Sequence, residues 1–272
     1  MNEDRNNALL CDVLRSVAEQ MRGSLGNIHM ALDRLTPAGA ELTGEQEQSA
    51  AILNQSYYRI LRVIENLSDA PLLAGEATLS RSNLELVTWL EDLCAQARPL
   101  AAEAGLTLTF RCAERYHKAA VNERCLGRLV WNLLSNAFKF TPAGGRVEVE
   151  LAFRGGQIVL TVSDTGCGVS REMMEIVYER YLHPERLDPQ PYGLGLGLPL
   201  CRRIAELHGG RFLLTSREGE GTTVTVSLPD ERLEGDALEQ PLPVYSGGFQ
   251  RSMVELSDAL PYRAFTRKNL DD

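Results

Sequence analysis

The sequence predicts an α+β protein in which an N-terminal antiparallel helical hairpin precedes a two-layer α/β sandwich. Two observations support this prediction. Apolar residues recur every three or four positions through residues 10–67, whereas helical and strand-like segments alternate from residue 84 onward. The length of 272 residues accommodates about two domains. We place them at residues 1–73 and 82–229, followed by a tail of unknown role at residues 230–272.

Composition excludes several functional classes. The net charge of -9 at pH 7 argues against a basic surface for nucleic acid or an anionic membrane, so no nucleic-acid partner is expected. Six cysteines lie scattered without a CxxC pair, which favours reduced thiols over a disulfide or zinc framework. No run approaches the ~18 consecutive apolar residues of a membrane span. We therefore expect a soluble, cytoplasmic protein.

Two apolar seams predict the hairpin. The first seam consists of Leu10, Leu14, Val17, Met21, Leu25, Ile28, Leu32 and Leu35, and the second of Leu53, Tyr57, Ile60, Ile64 and Leu67. Thr36 and Pro37 end the first helix. Because such a hairpin has too small a core alone, we expect a homodimer in which a four-helix bundle buries both seams. The alternative is a hairpin that packs on its own second domain.

A weak helical pair interrupts the first seam, in the stretch VAEQMRGSLGNI. Gly23 and Ser24 lie in the middle of this predicted helix, and Gly costs about 1 kcal/mol relative to Ala in a helix interior. The pair indicates either a tolerated kink or the remnant of a functional site.

The second domain is predicted to be a sheet with helices on one face. Helical patterns at residues 84–104, 123–138 and 198–207 alternate with the strand-like segments LTLTF, RVEVELAF, IVLTVSD, RFLLTS and TTVTVSL. In RVEVELAF, Val147, Val149 and Leu151 face one side of the strand, and Glu148 and Glu150 face the other. One face of the sheet is therefore expected to contact solvent. The tail holds one short helical pattern at residues 253–260.

A polar stripe lies on the predicted helix LVWNLLSNAFKF. Asn132, Asn136 and Lys139 stand at positions i, i+4 and i+7, which share one helix face. An amide oxygen can bind Mg²⁺, and an ammonium can meet a phosphate. The alternative is the solvated face of an amphipathic helix. Lysine occurs only at positions 118, 139 and 268, which makes its presence in this stripe notable.

Three glycine-rich segments follow the stripe. In DTGCGV, Asp164 ends a strand and precedes Gly166 and Gly168, so a flat ligand could approach the backbone and donate an amine hydrogen bond to the carboxylate. In YGLGLGLPL, the glycines precede a helix whose N-terminal amides suit an anion. In GEGTTVTVSLP, Gly221 and Thr222 open an edge-like strand. For DTGCGV alone a plain tight turn is the more common explanation, and GEGTTVTVSLP alone would indicate only a hairpin. The segment YGLGLGLPL fits neither a Rossmann nor a P-loop pattern.

Together and in this order, the four segments resemble the N, G1, G2 and G3 boxes of the histidine-kinase ATP-binding domain, and VYERYL resembles its F box. The resemblance covers residues 84–229. It implies that Asn136 holds Mg²⁺, that Asn132 and Lys139 contact phosphates, and that Asp164 binds the adenine amine of ATP. It also implies an ATP lid at residues 182–192. The other nucleotide contacts that it implies are Gly166, Gly168, Tyr178, Gly193, Gly195, Gly197, Leu198, Gly221 and Thr222.

The hairpin resembles the dimerisation and histidine-phosphotransfer domain of the same family, whose H box reads approximately S-H-E-L-R-T-P-L. Aligning Met21-Arg22 with Leu-Arg places Gly23-Ser24 on Thr-Pro, so the weak helical pair replaces the kink of the family. The same register places Glu19 at the phosphoacceptor histidine and Gln20 at the adjacent acid. His29 does not substitute, because the motif downstream of it is wrongly spaced.

This departure decides the predicted function. An acyl phosphate on Glu19 would be short-lived, Gln20 cannot act as a general base, and Gly23 cannot position a water for the phosphatase reaction of the family. We therefore expect an ATP-binding, dimeric pseudokinase that regulates two-component signalling through a response regulator or a partner histidine kinase. One alternative is an active kinase that phosphorylates a histidine in trans, or Ser24. Another is a non-catalytic scaffold. Without a sensor segment, the input is expected to arrive through another protein or through the tail.

Overall fold

The computed structural model describes residues 2–36, 42–69, 72, 79–170, 197–234 and 250–270. Within these ranges it describes the side chains except those of residues 2–15, 33, 267 and 268. The chain forms two compact units. One unit combines Met1–Glu76 with Gly248–Asp272, and the other is Ala77–Gly247. The candidate residues Tyr178, Gly193 and Gly195, the F-box segment and the predicted lid all lie outside the described residues.

The first unit begins with the hairpin. Helix α1 spans Asn2–Leu35 and helix α2 spans Gly44–Ser68. A capping box starts α2, since Thr43 Oγ1 accepts from the Gln46 backbone N–H while Gln46 Oε1 accepts from the Thr43 N–H at 3.0 Å. Although these helices are long, no helix within the described ranges is apolar enough to cross a membrane.

The interior of the hairpin uses only part of the predicted seams. Leu25 and Leu32 of α1 are buried, as are Tyr57 and Ile64 of α2. The His29 ring stacks on Tyr57 with its centroid 4.9 Å away and the ring planes 18° apart. His29 is therefore part of the packing between the two helices. The remaining seam residues whose burial is described are largely exposed apolar side chains.

A C-terminal segment of three short helices completes this unit. They are α6 (Arg251–Leu256), a 3-10 helix (Tyr262–Phe265) and α7 (Arg267–Leu270). Side chains of α2 donate to main-chain carbonyls of the segment: Asn54 to Phe265 at 3.2 Å, Gln55 to Leu260 at 2.7 Å and Arg59 to Ser257 at 3.3 Å. Met253, Leu256 and Phe265 are fully buried. The sequence did not predict that residues in the tail would pack on the hairpin.

The second unit is the predicted sandwich. Its elements are β1 (Ser82–Glu85), α3 (Leu86–Glu103), β2 (Thr107–Cys112), β3 (Lys118–Val121), α4 (Glu123–Phe140), β4 (Arg146–Arg154), β5 (Gln157–Asp164), α5 (Gly197–Leu207), β6 (Arg211–Arg217) and β7 (Gly221–Pro229). The main sheet has the strand order β2-β4-β5-β7-β6, in which β2 and β4 are parallel and the other pairs are antiparallel. Buried Val147 and Val149 alternate with half-exposed glutamates along β4. The α+β fold class is confirmed.

Two details of the sandwich differ from the prediction. The strand β7, predicted to be edge-like, lies inside the sheet because β6 pairs along its other side. The strands β1 and β3 form a separate antiparallel sheet that the sequence did not reveal, since each has only four residues. This small sheet leads directly into α3 and α4 and so fixes where both helices start.

Candidate functional site

The carboxylate of Asp164 is the centre of the candidate site. Asp164 is the last residue of β5 and pairs in register with Thr222, the second residue of β7. Its Oδ1 accepts from the Gly166 N–H at 2.8 Å and from the Thr222 N–H at 3.2 Å. Burial raises the pKa of this carboxyl, and the two backbone hydrogen bonds oppose that rise. Among the described residues, both hydrogen bonds end on Oδ1, which leaves Oδ2 to accept from a ligand.

Glycines surround this carboxylate because the backbones approach too closely for a side chain. A Cβ on Gly166 would lie 2.5 Å from the Phe140 carbonyl oxygen. Gly221 has a φ of +94°, and a Cβ there would lie 2.0 Å from the Asp164 carbonyl oxygen. Gly168, at φ +64°, meets the Arg217 carbonyl oxygen in the same way, at 1.9 Å. The glycine pattern therefore has a steric cause at each of these positions.

The loop after β5 is fixed on two sides. The Cys167 N–H donates to the Phe140 carbonyl at 3.1 Å, where α4 ends. On the other side the Gly219 N–H donates to the Cys167 carbonyl at 2.7 Å. The Val169 N–H donates to the Ser216 hydroxyl at 2.9 Å. The loop beside Asp164 is thus held between the end of α4 and the β6–β7 hairpin.

The polar stripe of α4 is not uniformly solvated. Asn132 is buried at 3% exposure, and its Nδ2 donates to the Arg128 carbonyl at 2.9 Å. A Cβ on Gly197 would lie 3.3 Å from Asn132 Oδ1, so this amide faces the start of α5. Asn136 and Lys139 are half-buried. The alternative of a simple solvated helix face is therefore wrong for Asn132, because α5 covers this part of α4.

The amide of Asn136 is the candidate metal ligand on the polar stripe. The described part of the chain contains no cluster of three His, Cys, Asp or Glu residues that could hold a metal ion. A single amide oxygen fits Mg²⁺ binding only where phosphates and water supply the other ligands. Asn136 is compatible with that arrangement, since it is half-buried on the polar stripe.

Helix α5 contributes its N-terminus. Gly197 and Leu198 form its first residues and are half-buried. Cys201 is fully buried, with its Sγ 3.6 Å from the Leu129 carbonyl of α4, so α5 is packed firmly on that helix. The free N–H groups of a first helical turn favour an anionic ligand. This N-terminus lies beside Asn132 and extends the candidate site.

The structure brings seven of the described candidates into two groups. One group holds Asp164, Gly166, Gly168, Gly221 and Thr222, and the other holds Asn132 with Gly197. Sequence reasoning missed Ser216, whose hydroxyl links the loop after β5 to the hairpin. A serine in an alternating strand carries no signal that distinguishes it from other polar strand residues.

Comparisons with known proteins identify the family to which this unit is similar. Residues 121–232 match the family described as "Histidine kinase-, DNA gyrase B-, and HSP90-like ATPase". The uncharacterized sensor-like histidine kinase R01002 of Rhizobium meliloti (strain 1021) is 31% identical over 188 residues, which cover 68% of this chain and 36% of that protein. The chain has a histidine kinase core.

One further relative and one solved structure are similar to this histidine kinase core. The histidine protein kinase DivJ of Caulobacter vibrioides is 32% identical over 189 residues, covering 69% of this chain and 32% of DivJ. The crystal structure of full-length ShkA in complex with AMPPNP has a TM-score of 0.63 and 25% identity, covering 82% of this chain and 46% of ShkA. The chain spans about a third of the length of the two curated relatives.

The segment predicted to correspond to the H box lies in the other unit, on α1. Glu19 and Gln20 are both exposed. The helix continues through Gly23 and Ser24, where the Ser24 hydroxyl donates to the Gln20 carbonyl at 3.2 Å. Apart from its chain neighbours and the nearby backbone of α1, no described atom lies within 4 Å of where a Cβ on Gly23 would stand. Packing therefore does not require a glycine at this position.

Proposed function

We propose that this histidine kinase core binds ATP with Mg²⁺ and acts as a dimeric regulator of two-component signalling without a phosphoacceptor of its own. The observation that carries the proposal is the carboxylate of Asp164, with Oδ1 fixed by two backbone N–H groups and Oδ2 available to a ligand amine. The 6-amine of adenine is a donor of that kind. The similarity to ShkA, which was crystallised with AMPPNP, supports a nucleotide as the ligand.

The proposed nucleotide contacts extend from this carboxylate towards the phosphates. Asn136 would hold Mg²⁺, Asn132 and Lys139 would contact phosphates, and the first turn of α5 would receive an anionic oxygen. The remaining proposed contacts are Gly166, Gly168, Tyr178, Gly193, Gly195, Gly197, Leu198, Gly221 and Thr222. When bound, ATP would supply the transferable phosphoryl group, and these residues would only bind and orient it.

Calorimetric titration tests the nucleotide site. We expect ATP to bind the wild type more tightly with Mg²⁺ than with a chelator. In Asn136→Ala this difference should shrink, because the amide oxygen proposed to hold the metal is gone. Metal-independent affinity in the wild type would contradict the role of Asn136, and an absence of ATP binding would contradict the proposal as a whole.

The pseudokinase part of the proposal rests on the chemistry of α1. Glu19 and Gln20 are exposed and therefore accessible to a partner, but neither side chain is an imidazole that can carry a stable phosphoryl group. Gln20 also cannot stabilise the charge that develops on an attacking nitrogen. The partner that binds this part of α1 is proposed to be a response regulator or a second histidine kinase.

Incubation with γ-labelled ATP separates the pseudokinase from its rivals. We expect no acid-labile, base-stable label on the wild-type chain. The change Glu19→His should restore little, and Glu19→His with Gln20→Glu should yield more phosphohistidine than either single change. Acid-labile label on the wild type would contradict the pseudokinase assignment. Acid-stable label that disappears in Ser24→Ala would instead support phosphorylation of Ser24, whose hydroxyl is exposed.

Dimerisation is proposed because the first unit leaves much of its apolar surface exposed. The exposed apolar side chains that share one side of each helix are Val17, Met21, Ile28 and Leu35 of α1 and Ile52, Leu53, Ile60 and Val63 of α2. A second copy carrying the same side chains would cover them in a four-helix arrangement. Glu19 stands about 180° around α1 from Ile28 at ~100° per residue, so such a dimer would leave Glu19 accessible.

Analytical ultracentrifugation tests the dimer with a matched pair of charge substitutions. Ile60→Glu should yield monomers, because a charge would enter the proposed interface. Met30→Glu should remain dimeric, since Met30 lies away from the apolar side of α1. The comparison is fair because Ile60 is 40% exposed and Met30 is 54% exposed. A monomeric wild type, or equal effects of both substitutions, would overturn the proposed interface.

A further inference from the structure

The hydroxyl of Ser216 occupies a junction that none of the roles above explains. Ser216 lies on β6 and pairs in register with Thr222. Its Oγ accepts from the Val169 N–H at 2.9 Å and lies 2.9 Å from the Gly221 carbonyl oxygen and 3.0 Å from Thr222 Oγ1. One hydroxyl therefore contacts the loop after β5 and the first two residues of β7.

The hydrogen-bonding capacity of this hydroxyl is fully used. A serine hydroxyl donates one hydrogen bond and accepts two. Because the Gly221 carbonyl can only accept and the Val169 N–H can only donate, the hydroxyl of Thr222 must donate to Ser216. This assignment follows from the bonding partners alone. An alanine at position 216 would leave all three partners without this contact.

Both segments that Ser216 joins also hold the carboxylate of Asp164. The Thr222 N–H on one side and the Gly166 N–H on the other donate to Asp164 Oδ1. The start of β7 is also in close backbone contact with the end of β5 at Gly221, and the loop after β5 is in close contact with the end of β6 at Gly168. Ser216 is a second side chain, besides Asp164, that bonds to both segments, and it therefore restricts how far the two donors can move apart.

We propose that Ser216 is a positioning residue that sets the preference of this site for an adenine base. The inference rests on the nucleotide binding proposed above. Adenine carries a 6-amine that donates to a carboxylate, whereas hypoxanthine carries a carbonyl oxygen at the same place, which can only accept. A fixed Oδ2 on Asp164 therefore favours ATP over inosine triphosphate. A carboxylate that can turn holds the 6-amine less well, so this preference becomes weaker.

Titrations of both nucleotides test the inference. In Ser216→Ala we expect the affinity for ATP to fall roughly 3- to 10-fold, the size of one ordinary hydrogen bond, and that for inosine triphosphate to stay the same. The ratio of the two affinities should fall by the same factor. Thr215→Ala is the matched control, since Thr215 is the exposed neighbour on the same strand. Its ratio should equal that of the wild type.

Two further variants keep the test informative. Ser216→Thr retains the hydroxyl and should retain the nucleotide preference. Ser216→Cys keeps the size of the side chain with a weak acceptor, and under reducing conditions it should shift the ratio in the same direction as Ser216→Ala. Thermal melting of each variant establishes that it is folded. If Ser216→Ala is unfolded, Ser216→Cys decides the outcome.

The possible failures are distinguishable. A wild-type protein that binds no ATP would overturn the proposed function and, with it, this inference. A wild-type protein that prefers ATP, together with Ser216 variants that keep the wild-type ratio, would overturn the inference alone. Equal losses for both nucleotides would also overturn it, because they would assign Ser216 a general structural role.

Discussion

Replacement of Asp164 by Asn separates ligand recognition from stability at this site. Asparagine has nearly the same shape as aspartate. In the wild type the Gly166 and Thr222 N–H groups lie 2.8 and 3.2 Å from Asp164 Oδ1, and the Oδ1 of asparagine can still accept from both. The amide nitrogen would then stand where Oδ2 stands. Since that nitrogen donates, it would face the 6-amine of adenine with a second donor.

The two expected effects have opposite signs. A hydrogen bond to a charged group contributes about 1.5–3 kcal/mol, so Asp164→Asn should weaken ATP binding by roughly 10- to 150-fold. Stability should stay the same or rise. Because burial raises the pKa of Asp164, the folded protein binds a proton more tightly than the unfolded chain. At neutral pH the carboxylate therefore costs stability, and the cost disappears with the charge.

Calorimetry and thermal melting at pH 7 measure both effects on the same samples. A second experiment measures the affinity of the wild type for ATP as the pH is lowered. Because binding needs the ionised carboxylate, the affinity for ATP should start to fall at a higher pH than an ordinary aspartate would allow. A variant that binds ATP as tightly as the wild type, or that melts well below it, would refute this reasoning.

Three other predictions concern the scaffold. His208 is buried, its Nε2 accepts from the Asn122 N–H at 3.0 Å, and burial lowers its pKa. The wild type should therefore lose up to about 1.4 kcal/mol of stability per pH unit below ~6.5, whereas denaturation of His208→Asn should lack this dependence. Phe265→Ala should cost about 3–5 kcal/mol in urea denaturation, because Phe265 is fully buried, while Tyr262→Ala, at 43% exposure, should cost far less. Gly23→Ala should raise the melting temperature by the equivalent of about 1 kcal/mol, since the helix has open space there, and a loss of stability would show that the glycine is needed.

The sequence predicted those elements whose pattern is local. The helices α1 and α2 follow from apolar periodicity, and β4 follows from the alternation around Val147, since neighbours in the chain share a face. The packing of the C-terminal segment was not predictable, because Asn54 and Phe265 are separated by 211 positions. Apolar residues such as Met253 indicate that something is buried there, but not against what. The four-residue strands β1 and β3 are too short to show a period.

The candidate site also has a part that was predictable from local sequence patterns and a part that was not. Asp164 and its glycines could be found because a carboxylate after an apolar strand, followed by side-chain-free positions, is a local pattern. The burial of Asn132 could not be found, since it depends on α5 packing over α4. The role of Ser216 could not be predicted for the same reason, because its partners lie on the loop after β5 and on another strand.

The discontinuous first unit makes the docking of the C-terminal segment an intramolecular binding reaction. The chain leaves this unit near residue 76 and returns near residue 248, so the segment remains tethered to the α2 side chains that hold it. Because the connection runs through the second unit, the segment has a higher effective concentration at α2 than the same segment would have as a free peptide in dilute solution. A protease site inserted between residues 235 and 249 would turn the segment into a free peptide. Dilution of the nicked protein would then measure how tightly α2 holds the last turns of its own chain.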